Sequence, residues 1–298
     1  MSRQLLETYD TKVVVWDVNG RVWHISGANA GREGVRLSKQ SGYMFAPVQL
    51  LVSEGARQDG ATFLRSVRSK KAWDFVAVIS GGAKTGAVDP IPDFYAVHDA
   101  WFRGWSTDIP VTVGTFTRHQ GWRFQRAQLE AAPEPIGDVD PARNAVVLYK
   151  MSAAAMDPLE HHFEETFVWT NTAGRDQGIV RARNAADQPA WPRYTMNGPG
   201  QWEIQDPVGG ATPRPPVQTP RLGPGETLRI DTHPRHRTAR LYTDDGSEPR
   251  NVWGQLAGRR WLAALPPWSS TDLTVKVDGG NARSSVIVSV TPRSSRPF

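Results

Sequence analysis

The sequence predicts a mainly β protein, with an N-terminal β domain that includes one short helix and a C-terminal β-sandwich. Three observations lead to this prediction. The 298 residues suffice for two ordinary domains. The 27 Gly and 23 Pro argue against a helical bundle. In the second half, β-rich runs recur with turn signals every 8–12 residues or so, roughly the spacing of a sandwich.

The absence of cysteine limits the chemistry that the chain can support. It excludes disulfide bonds, thiol catalysis and thiolate metal sites, and it fits assembly in a reducing cytosol. No apolar run approaches the roughly 20 residues that span a bilayer, and the segment MSRQLLETYDTK lacks the apolar core of a signal peptide. We therefore expect no membrane segment and no signal-directed export.

The charge of the chain is basic but dispersed. The formal net charge is +5 and the pI about 9.6, which permits contact with nucleic acid or an acidic surface. The largest local cluster is Arg65, Arg68, Lys70 and Lys71, and so short a cluster favours a solvated face over a nucleic-acid patch. The 12 Trp are expected mostly in cores, because each can bury a large area.

The first predicted element is a β-hairpin over 11–25. The runs TKVVVWDV and RVWHI flank Asn19-Gly20, and this dipeptide favours a two-residue type I′ turn because both residues tolerate a positive φ. The Gly-rich segment 27–43 is predicted as a loop, since its spacing matches no phosphate-binding motif. The run FAPVQLLV, 45–52, predicts another strand.

A short helix is predicted over 53–67, where Ser53 can cap the first turn. The residues that share one helical face are Ala56, Phe63, Leu64 and Val67. Gly55 and Gly60 weaken such a helix by about 1 kcal/mol each relative to Ala, so packing would have to hold it. The next run, AWDFVAVIS at 72–80, predicts a strand.

Strand signals continue through the rest of the first half. Between 94 and 130 they lie in the runs FYAVHDAWFRGW, IPVTVGTFTR and WRFQRAQLEA. A Pro-rich break follows at 131–141. One more strand, passing into Ala-rich sequence, is predicted within 142–156, and the segment 160–169 leads into the second half.

The second half is predicted as almost pure β-structure. Its strand runs are GIVRAR (178–183), RYTM (193–196), QWEIQ (201–205), ETLRID (226–231), TARLYT (238–243), RNVW (250–253), LTVKV (273–277) and SSVIVSV (284–290). The Pro-rich segment 207–220 is expected to be an extended loop with little regular pairing.

No residue pattern assigns catalysis, a cofactor or a metal. The sequence has neither a G-x-S-x-G elbow nor a cysteine. Glu160-His161-His162, with Glu164 and Glu165, is the densest group of potential ligands. Neighbouring His side chains diverge on a strand or a helix, so a solvated segment is favoured over a metal site. The segments 233–237 and 244–248 are interpreted as turns. We expect the protein not to be an enzyme.

One segment carries a family resemblance. The stretch N-A-A-D-Q-P-A-W-P-R-Y-T-M-N-G-P-G, 184–200, resembles the start of the C-terminal domain in distal tail and minor tail proteins of siphophages, especially phages of actinobacteria. The segment 222–231 and the later runs RNVW, RWL and LPP resemble that family's following strands and Pro turn. The segments 31–35 and 53–67 resemble its first domain, so the resemblance covers most of the chain.

The resemblance implies a two-part virion protein. Residues 1–165 would form a belt domain that closes into a ring, 166–292 a galectin-like β-sandwich, and 293–298 a tail. The ring, six-fold by resemblance, would join the tail tube protein to other tail-tip proteins at the tail tip, after assembly in the host cytoplasm. Nucleic acid would at most pass through the ring lumen, and no cofactor is implied.

Nine residues are expected to act in turns and packing and not in ligand binding. They are Asn19, Gly20, Gly31, Gly34, Trp191, Pro192, Asn197, Gly198 and Gly200. The prolines around Trp191 cannot donate ladder hydrogen bonds, so they place this turn at a strand edge.

A carbohydrate-binding host-recognition protein of the tail tip is the alternative function. The second half shows no compact Trp–His–Asn–Arg sugar-site signature, and glycan binding by that half would separate the two hypotheses. A tail-associated hydrolase is a third hypothesis, which no visible catalytic constellation supports.

Overall fold

The computed structural model describes residues 10–56, 59–81, 90–137, 140–172, 174–207 and 214–298. The chain divides into two compact units, a first unit of Met1–His161 with Ser295–Phe298 and a second unit of His162–Ser294. The belt domain expected over 1–165, the galectin-like domain over 166–292 and the tail over 293–298 stay predictions, because compactness does not test what each part does.

The first unit is built mainly from strands. They are β1 (Lys12–Trp16), β2 (Val22–Ser26), β3 (Val35–Ser41), β4 (Val48–Ser53), β5 (Thr62–Arg68), β6 (Lys71–Ser80), β7 (Val111–Thr117), β8 (Gly121–Leu129), β9 (Glu134–Ile136), β10 (Val146–Ala155) and β11 (Glu160–His161). Two helices, α1 (Pro90–Arg103) and α2 (Pro141–Asn144), complete it. Within the ranges that the structure describes, no helix is long and apolar enough to cross a bilayer.

Most of these strands follow one antiparallel path, β2-β1-β7-β8-β10-β6-β3, with β11 beside β8 and β9 beside β10. The sequence of β6 shows why a strand forms, because buried and half-buried residues alternate along its whole length. One face of β6 supplies Trp73, Phe75 and Ile79 to the core, and β1 adds Val13 and Val15. The predicted strand at 72–80 is therefore confirmed.

Helix α1 packs on this core, in a region where the sequence predicted a strand. Phe94, Val97 and Trp101 recur at three- and four-residue spacing, so they share one helical face. The buried Trp101 ring meets the Trp23 ring edge-on, with centroids 5.2 Å apart. The strand predicted for FYAVHDAWFRGW is therefore wrong: its aromatic residues favour β-structure by propensity, but their spacing fits a helix.

Two further first-half predictions are wrong. The predicted loop 27–43 contains β3, which pairs with β6 from Val35↔Ile79 to Ser41↔Asp74. The predicted helix 53–67 does not form, because Ser53 ends β4 and 62–68 form β5. Of the residues predicted to share a helical face, Ala56 lies in a loop, and Phe63, Leu64 and Val67 lie in β5. Successive side chains of a strand point to opposite faces, so these residues do not share one face.

The second unit is built from the remaining strands and one 3₁₀ helix. The strands are β12 (Glu165–Thr170), β13 (Gln177–Asn184), β14 (Arg193–Asn197), β15 (Gly200–Ile204), β16 (Val217–Leu222), β17 (Glu226–Asp231), β18 (Thr238–Thr243), β19 (Arg250–Asn251), β20 (Ser269–Asp278), β21 (Ser285–Val290) and β22 (Arg293–Ser294). The 3₁₀ helix is Trp253–Leu256.

Two antiparallel sheets form a sandwich in this unit. Their strand orders are β12-β21-β14-β17-β18-β19 and β13-β20-β15-β16. Alternate residues of each sheet are buried between them, such as Tyr194 and Met196 on β14 and Trp202 and Ile204 on β15. The predicted mainly β fold, with a sandwich in the second half, is confirmed.

Two second-half segments differ from their prediction. Val217–Leu222 form β16, although little pairing was expected over 207–220; the part at 208–213 lies outside the described residues. Pro220 fits this strand because the ladder with β15 is interrupted by a bulge between Gln201 and Glu203. The run RNVW gives only a two-residue strand, because the Asn251 side chain accepts the Trp253 N–H at 3.0 Å and turns the chain.

Candidate assembly interface

The strongest candidate for a functional surface is residues 45–68, which we call the apolar hairpin. Its strands β4 and β5 pair with each other, from Val48↔Arg68 to Ser53↔Thr62, and with no other described strand. A bulge beside Leu51 and Val52 breaks the register. The Ser69 N–H donates to the Pro47 carbonyl at 3.1 Å and closes the base.

The apolar hairpin exposes large hydrophobic side chains on both of its faces. They are Phe45, Val48, Leu50, Val52, Phe63, Leu64 and Val67. Leu50 is 60% exposed, and Phe63 and Leu64 are each 61% exposed. An isolated two-stranded hairpin is at best marginally stable in water, and so dense an apolar patch marks an interaction surface. This hairpin therefore needs another surface to cover it.

Buried polar residues of the first unit anchor both ends of the apolar hairpin. Tyr43 precedes it and Lys71 follows it, and both are buried. The Lys71 ammonium lies 5.1 Å from the centroid of the Tyr43 ring and donates to the Glu160 carboxylate at 2.5 Å. The Tyr43 hydroxyl forms a hydrogen bond with the Thr115 hydroxyl. These contacts fix the place where the hairpin leaves the core.

The electrostatics of this anchor follow from its burial. Removal from water raises the pKa of the Glu160 carboxyl above its usual 4.5, and the nearby Lys71 charge opposes that rise. Burial also raises the pKa of Tyr43, and the charge of Glu160 adds to the effect. Among the described residues, Oε2 of Glu160 has no hydrogen-bond partner. The group is thus a buried ion pair whose stability depends on both partners.

The predicted solvated cluster of cations is split by the structure. Arg65 and Arg68 are exposed on the apolar hairpin, and Lys70 pairs with Glu130. Lys71, in contrast, is fully buried, so the prediction of one solvated face is wrong for this residue. The reason is positional: Lys71 is the first residue of β6, on the face of that strand that enters the core.

The densest group of potential metal ligands is also separated. Glu160 faces Lys71, whereas His161 Nε2 lies 3.1 Å from the Asp157 carboxylate and His162 Nε2 lies 2.7 Å from the Ser294 hydroxyl. In the part of the chain that the structure describes, no group of three or more His, Cys, Asp or Glu side chains could hold a metal ion.

The Asn-Gly hairpin forms, but its turn differs from the prediction. The Gly20 N–H donates to the Asp17 carbonyl at 3.0 Å, and the Asp17 N–H donates to the Arg21 carbonyl at 2.9 Å. Gly20 has φ +80°, whereas Asn19 is not among the residues with positive φ. The prediction of a two-residue type I′ turn is therefore wrong. A three-residue turn forms instead, and its last residue, Gly20, has a left-handed conformation. The Asp17 carboxylate explains it by accepting the N–H groups of Asn19 and Arg21, each at 2.9 Å.

Gly31 and Gly34 lie in the turn before β3, both with positive φ. A Cβ on Gly34 would lie 2.8 Å from the Ser80 carbonyl oxygen. The Ser80 N–H donates to the Gly34 carbonyl at 2.8 Å. This close approach ties the turn to the end of β6.

Trp191 and Pro192 lie just before β14. Trp191 is half-buried, and its ring lies edge-on to the His233 ring with centroids 6.3 Å apart. Pro192 is buried, and its carbonyl accepts the Thr232 hydroxyl at 2.6 Å.

Asn197, Gly198 and Gly200 lie together at the other end of β14, in the link to β15 in the opposite sheet. The Asn197 amide donates to the Ser285 hydroxyl at 2.9 Å. A Cβ on Gly198 would lie 2.1 Å from the Gly223 carbonyl oxygen, a distance that no side chain tolerates. Gly200 has φ +124°.

Sequence reasoning missed the exposed residues of the apolar hairpin. The available signal was a pair of β-rich runs, VQLLV and TFLRSV, on either side of a loop with two glycines. No sequence signal could predict that they are exposed. Hydrophobic residues are expected to be buried, and the sequence does not show whether the same chain buries them.

No protein-family model and no curated protein matches the sequence. Among solved structures, the chain is similar to the Dit protein of phage SPP1, at 12% identity and a TM-score of 0.62, over 95% of this chain and 98% of that one. That protein is described as a paradigm of the hub adsorption apparatus in phages that infect Gram-positive bacteria.

The chain is also similar to chains of the phage p2 baseplate in its activated conformation. The structure with Ca gives 9% identity and a TM-score of 0.54, over 94% of this chain and 97% of that one. The structure with Sr gives 8% identity and a TM-score of 0.51 over the same shares, 94% and 97%. At these identities the likeness shows the fold, so the chain has the fold found in phage hub and baseplate proteins.

Proposed function

We propose that the protein is a non-enzymatic structural component of the phage tail tip, a siphophage distal tail protein. Its first unit acts as the belt that closes into a ring, six-fold by resemblance, and joins the tail tube protein to other tip proteins. The apolar hairpin carries this proposal, because it exposes seven large apolar side chains and pairs with no other described strand. The fold likeness to a phage hub protein supports the location in the virion.

A second copy of the chain fits the apolar hairpin energetically. The seven side chains are 40–61% exposed, so burying the remaining surface yields on the order of 5–12 kcal/mol before costs. Association costs about 4–15 kcal/mol in lost freedom, so a neighbouring copy that covers most of the hairpin could hold it. The anchored base, at Tyr43 and Lys71, limits the additional entropy cost of ordering.

The form of the hairpin also suits a ring. Closure of a cyclic oligomer requires a heterologous contact, in which one surface of a copy binds a different surface of the next. A projecting hairpin received by another part of the neighbouring first unit is such a contact. The second unit then remains available to other tip proteins.

Crosslinking tests this contact cleanly because the chain has no cysteine of its own. Leu50→Cys in the full chain, labelled with a thiol-specific photo-crosslinker, should give products between copies, in a ladder that ends at the ring size. Ile179→Cys is the matched control, since this residue is 62% exposed on β13 of the second unit. We expect few products between copies from the control.

A structure of the assembled tail tip decides the wider proposal. The ring hypothesis is wrong if neighbouring copies there meet mainly through residues 176–292, or if one copy lies on the axis. A Leu50→Cys variant that crosslinks only to a different tail protein would assign the apolar hairpin to another partner.

A further inference from the structure

The second unit has a basic surface that the proposed ring does not use. It lies on the outward face of the sheet β12-β21-β14-β17-β18-β19. Side chains alternate between the two faces of a strand, so Tyr194 and Ile230 enter the core while their neighbours Arg193 and Arg229 point outward. An open cavity of about 610 Å³ lies on this face and is also lined by Arg240.

Two of these arginines are placed against each other. Arg229 and Arg240 are directly opposite in the register of β17 and β18, a position in which like charges destabilise an antiparallel pair. Within the described ranges, neither guanidinium has a carboxylate partner. Arg229 stacks on the Tyr242 ring, 4.5 Å from its centroid, which holds the guanidinium without neutralising it. An anion bound between them would offset this repulsion.

The carboxylates that line the same cavity are engaged elsewhere. Glu164 forms an ion pair with Arg193. The Asp231 carboxylate accepts the backbone N–H of His233 at 2.9 Å. That hydrogen bond orients the Asp231 carboxylate but leaves its charge, so the cavity keeps a net positive charge because the guanidinium groups of Arg229 and Arg240 outnumber this one carboxylate.

A second cavity, of about 390 Å³, adjoins the first and shares Thr238 and Arg240 with it. Trp253 lines this cavity and offers an aromatic surface. Arg237 lines it as well, and its Nε is buried without a hydrogen-bond partner among the described residues. A buried unpaired donor is costly, and a ligand oxygen would satisfy it. Together the two cavities can take several linked units and not only a single ion.

We propose that this surface binds an acidic saccharide polymer whose phosphate or carboxylate groups lie on Arg229 and Arg240. Guanidinium groups bind such anions in bidentate fashion, and the hydroxyls of Thr195, Thr238 and Ser289 suit sugar or polyol hydroxyls. The surface is concave and places hydroxyl groups beside the guanidinium groups, whereas the centre of a protein interface is mostly apolar. A saccharide therefore fits better than a protein partner, and the inference does not depend on the proposed ring.

Calorimetric titration of the full chain tests the proposal with three defined probes: a phosphorylated mannan oligosaccharide, oligogalacturonate and neutral dextran oligomers. The wild type should bind an acidic probe and not dextran, and the preferred acidic probe distinguishes phosphate from carboxylate. The double variant Arg229→Gln/Arg240→Gln should weaken binding by about tenfold or more, since hydrogen bonds to charged groups are lost. The matched control is Arg181→Gln/Arg221→Gln, which removes the same charge from exposed ion pairs with Asp272 and Asp278 on the other sheet.

Thermal unfolding separates binding from structure in the same variants. The Arg229→Gln/Arg240→Gln variant should keep or raise the midpoint, because it removes opposed like charges; a lowered midpoint would show that the arginines are structural. The proposal is also overturned if the wild type binds neither acidic probe, or if the control variant loses binding equally. Tighter binding of polyglutamate through the same arginines would assign the surface to an acidic protein instead.

Discussion

Two hairpins of the first unit have similar β-rich sequences and opposite environments. The hairpin of β1 and β2 is built into a sheet, because β1 pairs with both β2 and β7, and Val15 and Trp23 are fully buried. The apolar hairpin pairs with no further described strand and leaves Leu50 and Phe63 exposed. Similar hydrophobic patterns are therefore buried within the unit in one hairpin and left exposed in the other.

Replacing one aromatic residue in each hairpin should give very different losses of stability. Trp23 is fully buried, and its indole N–H donates to the Asp17 carboxylate at 2.9 Å. Trp23→Ala should cost the first unit about 3–5 kcal/mol in denaturant unfolding. Phe63→Ala should change the unfolding free energy of the unassembled chain by less than about 0.5 kcal/mol, because the ring is 61% exposed.

Assembly should reverse this order. Phe63→Ala should weaken contact between copies, measured by the yield of crosslinked products, while leaving the unassembled chain folded. Equal destabilisation by the two substitutions would mean that the apolar hairpin packs within its own chain, and the comparison would fail.

The junction between the apolar hairpin and β6 supplies a second matched pair. Lys71→Met leaves the Glu160 carboxylate buried without its partner, at a cost of about 3–5 kcal/mol. Arg68→Met removes an equal charge from an exposed position three residues earlier and should have little effect on the unassembled chain. Chemical denaturation of both variants tests this difference, and a small effect of Lys71→Met would contradict the stabilising role of this buried ion pair.

The same anchor predicts a pH dependence. Burial raises the pKa of Glu160 above 4.5, so the folded chain holds this proton more tightly than the unfolded chain. The stability that this preference contributes is present below about pH 4.5 and is lost as pH rises through the raised pKa. Glu160→Gln leaves Lys71 buried without its partner and should be less stable than the wild type, but this deficit should shrink as pH rises from 4.5, by up to about 1.4 kcal/mol per unit of pKa difference. A constant difference across that range would refute the shift.

The sequence predicted those parts of the fold whose hydrophobic faces are buried within the same chain. The alternation in β6 and the Asn-Gly hairpin were predicted because neighbouring strands bury the expected face. The type of the Asn-Gly turn was not, since the Asp17 carboxylate decides it. Helix α1 was missed because aromatic propensity outweighed spacing in the interpretation.

The candidate sites were less predictable for a related reason. The apolar residues of the segment 53–67 lie on both faces of the hairpin and are exposed. They therefore lack the alternation that marks a strand with one buried face, and the segment was predicted as a helix. The opposition of Arg229 and Arg240 depends on the register of two strands, which no spacing along the chain displays. Buried Lys71 likewise looked like part of a solvated cluster, because its burial depends on distant Glu160.

The turn glycines of the two hairpins are closely matched, and replacing them should have small effects. Gly20 has φ +80° and Gly60 has φ +84°, and a Cβ at either would meet no atom of the described residues within 4 Å. Alanine should therefore add only backbone strain, about 1 kcal/mol at each position. In Gly20→Ala this strain should appear in the unfolding free energy of the unassembled chain, because the turn joins two strands of the main sheet.

In Gly60→Ala the same strain should be invisible until assembly, because an uncovered hairpin can relax without unfolding the core. Its cost should appear as a roughly fivefold weaker contact between copies, the equivalent of about 1 kcal/mol. Equal losses of stability in the two unassembled variants would show that the apolar hairpin is already part of the cooperative first unit. Unchanged assembly in Gly60→Ala, with Gly20→Ala destabilised as expected, would show that the hairpin tip takes no part in the contact and would confine the interface to its base.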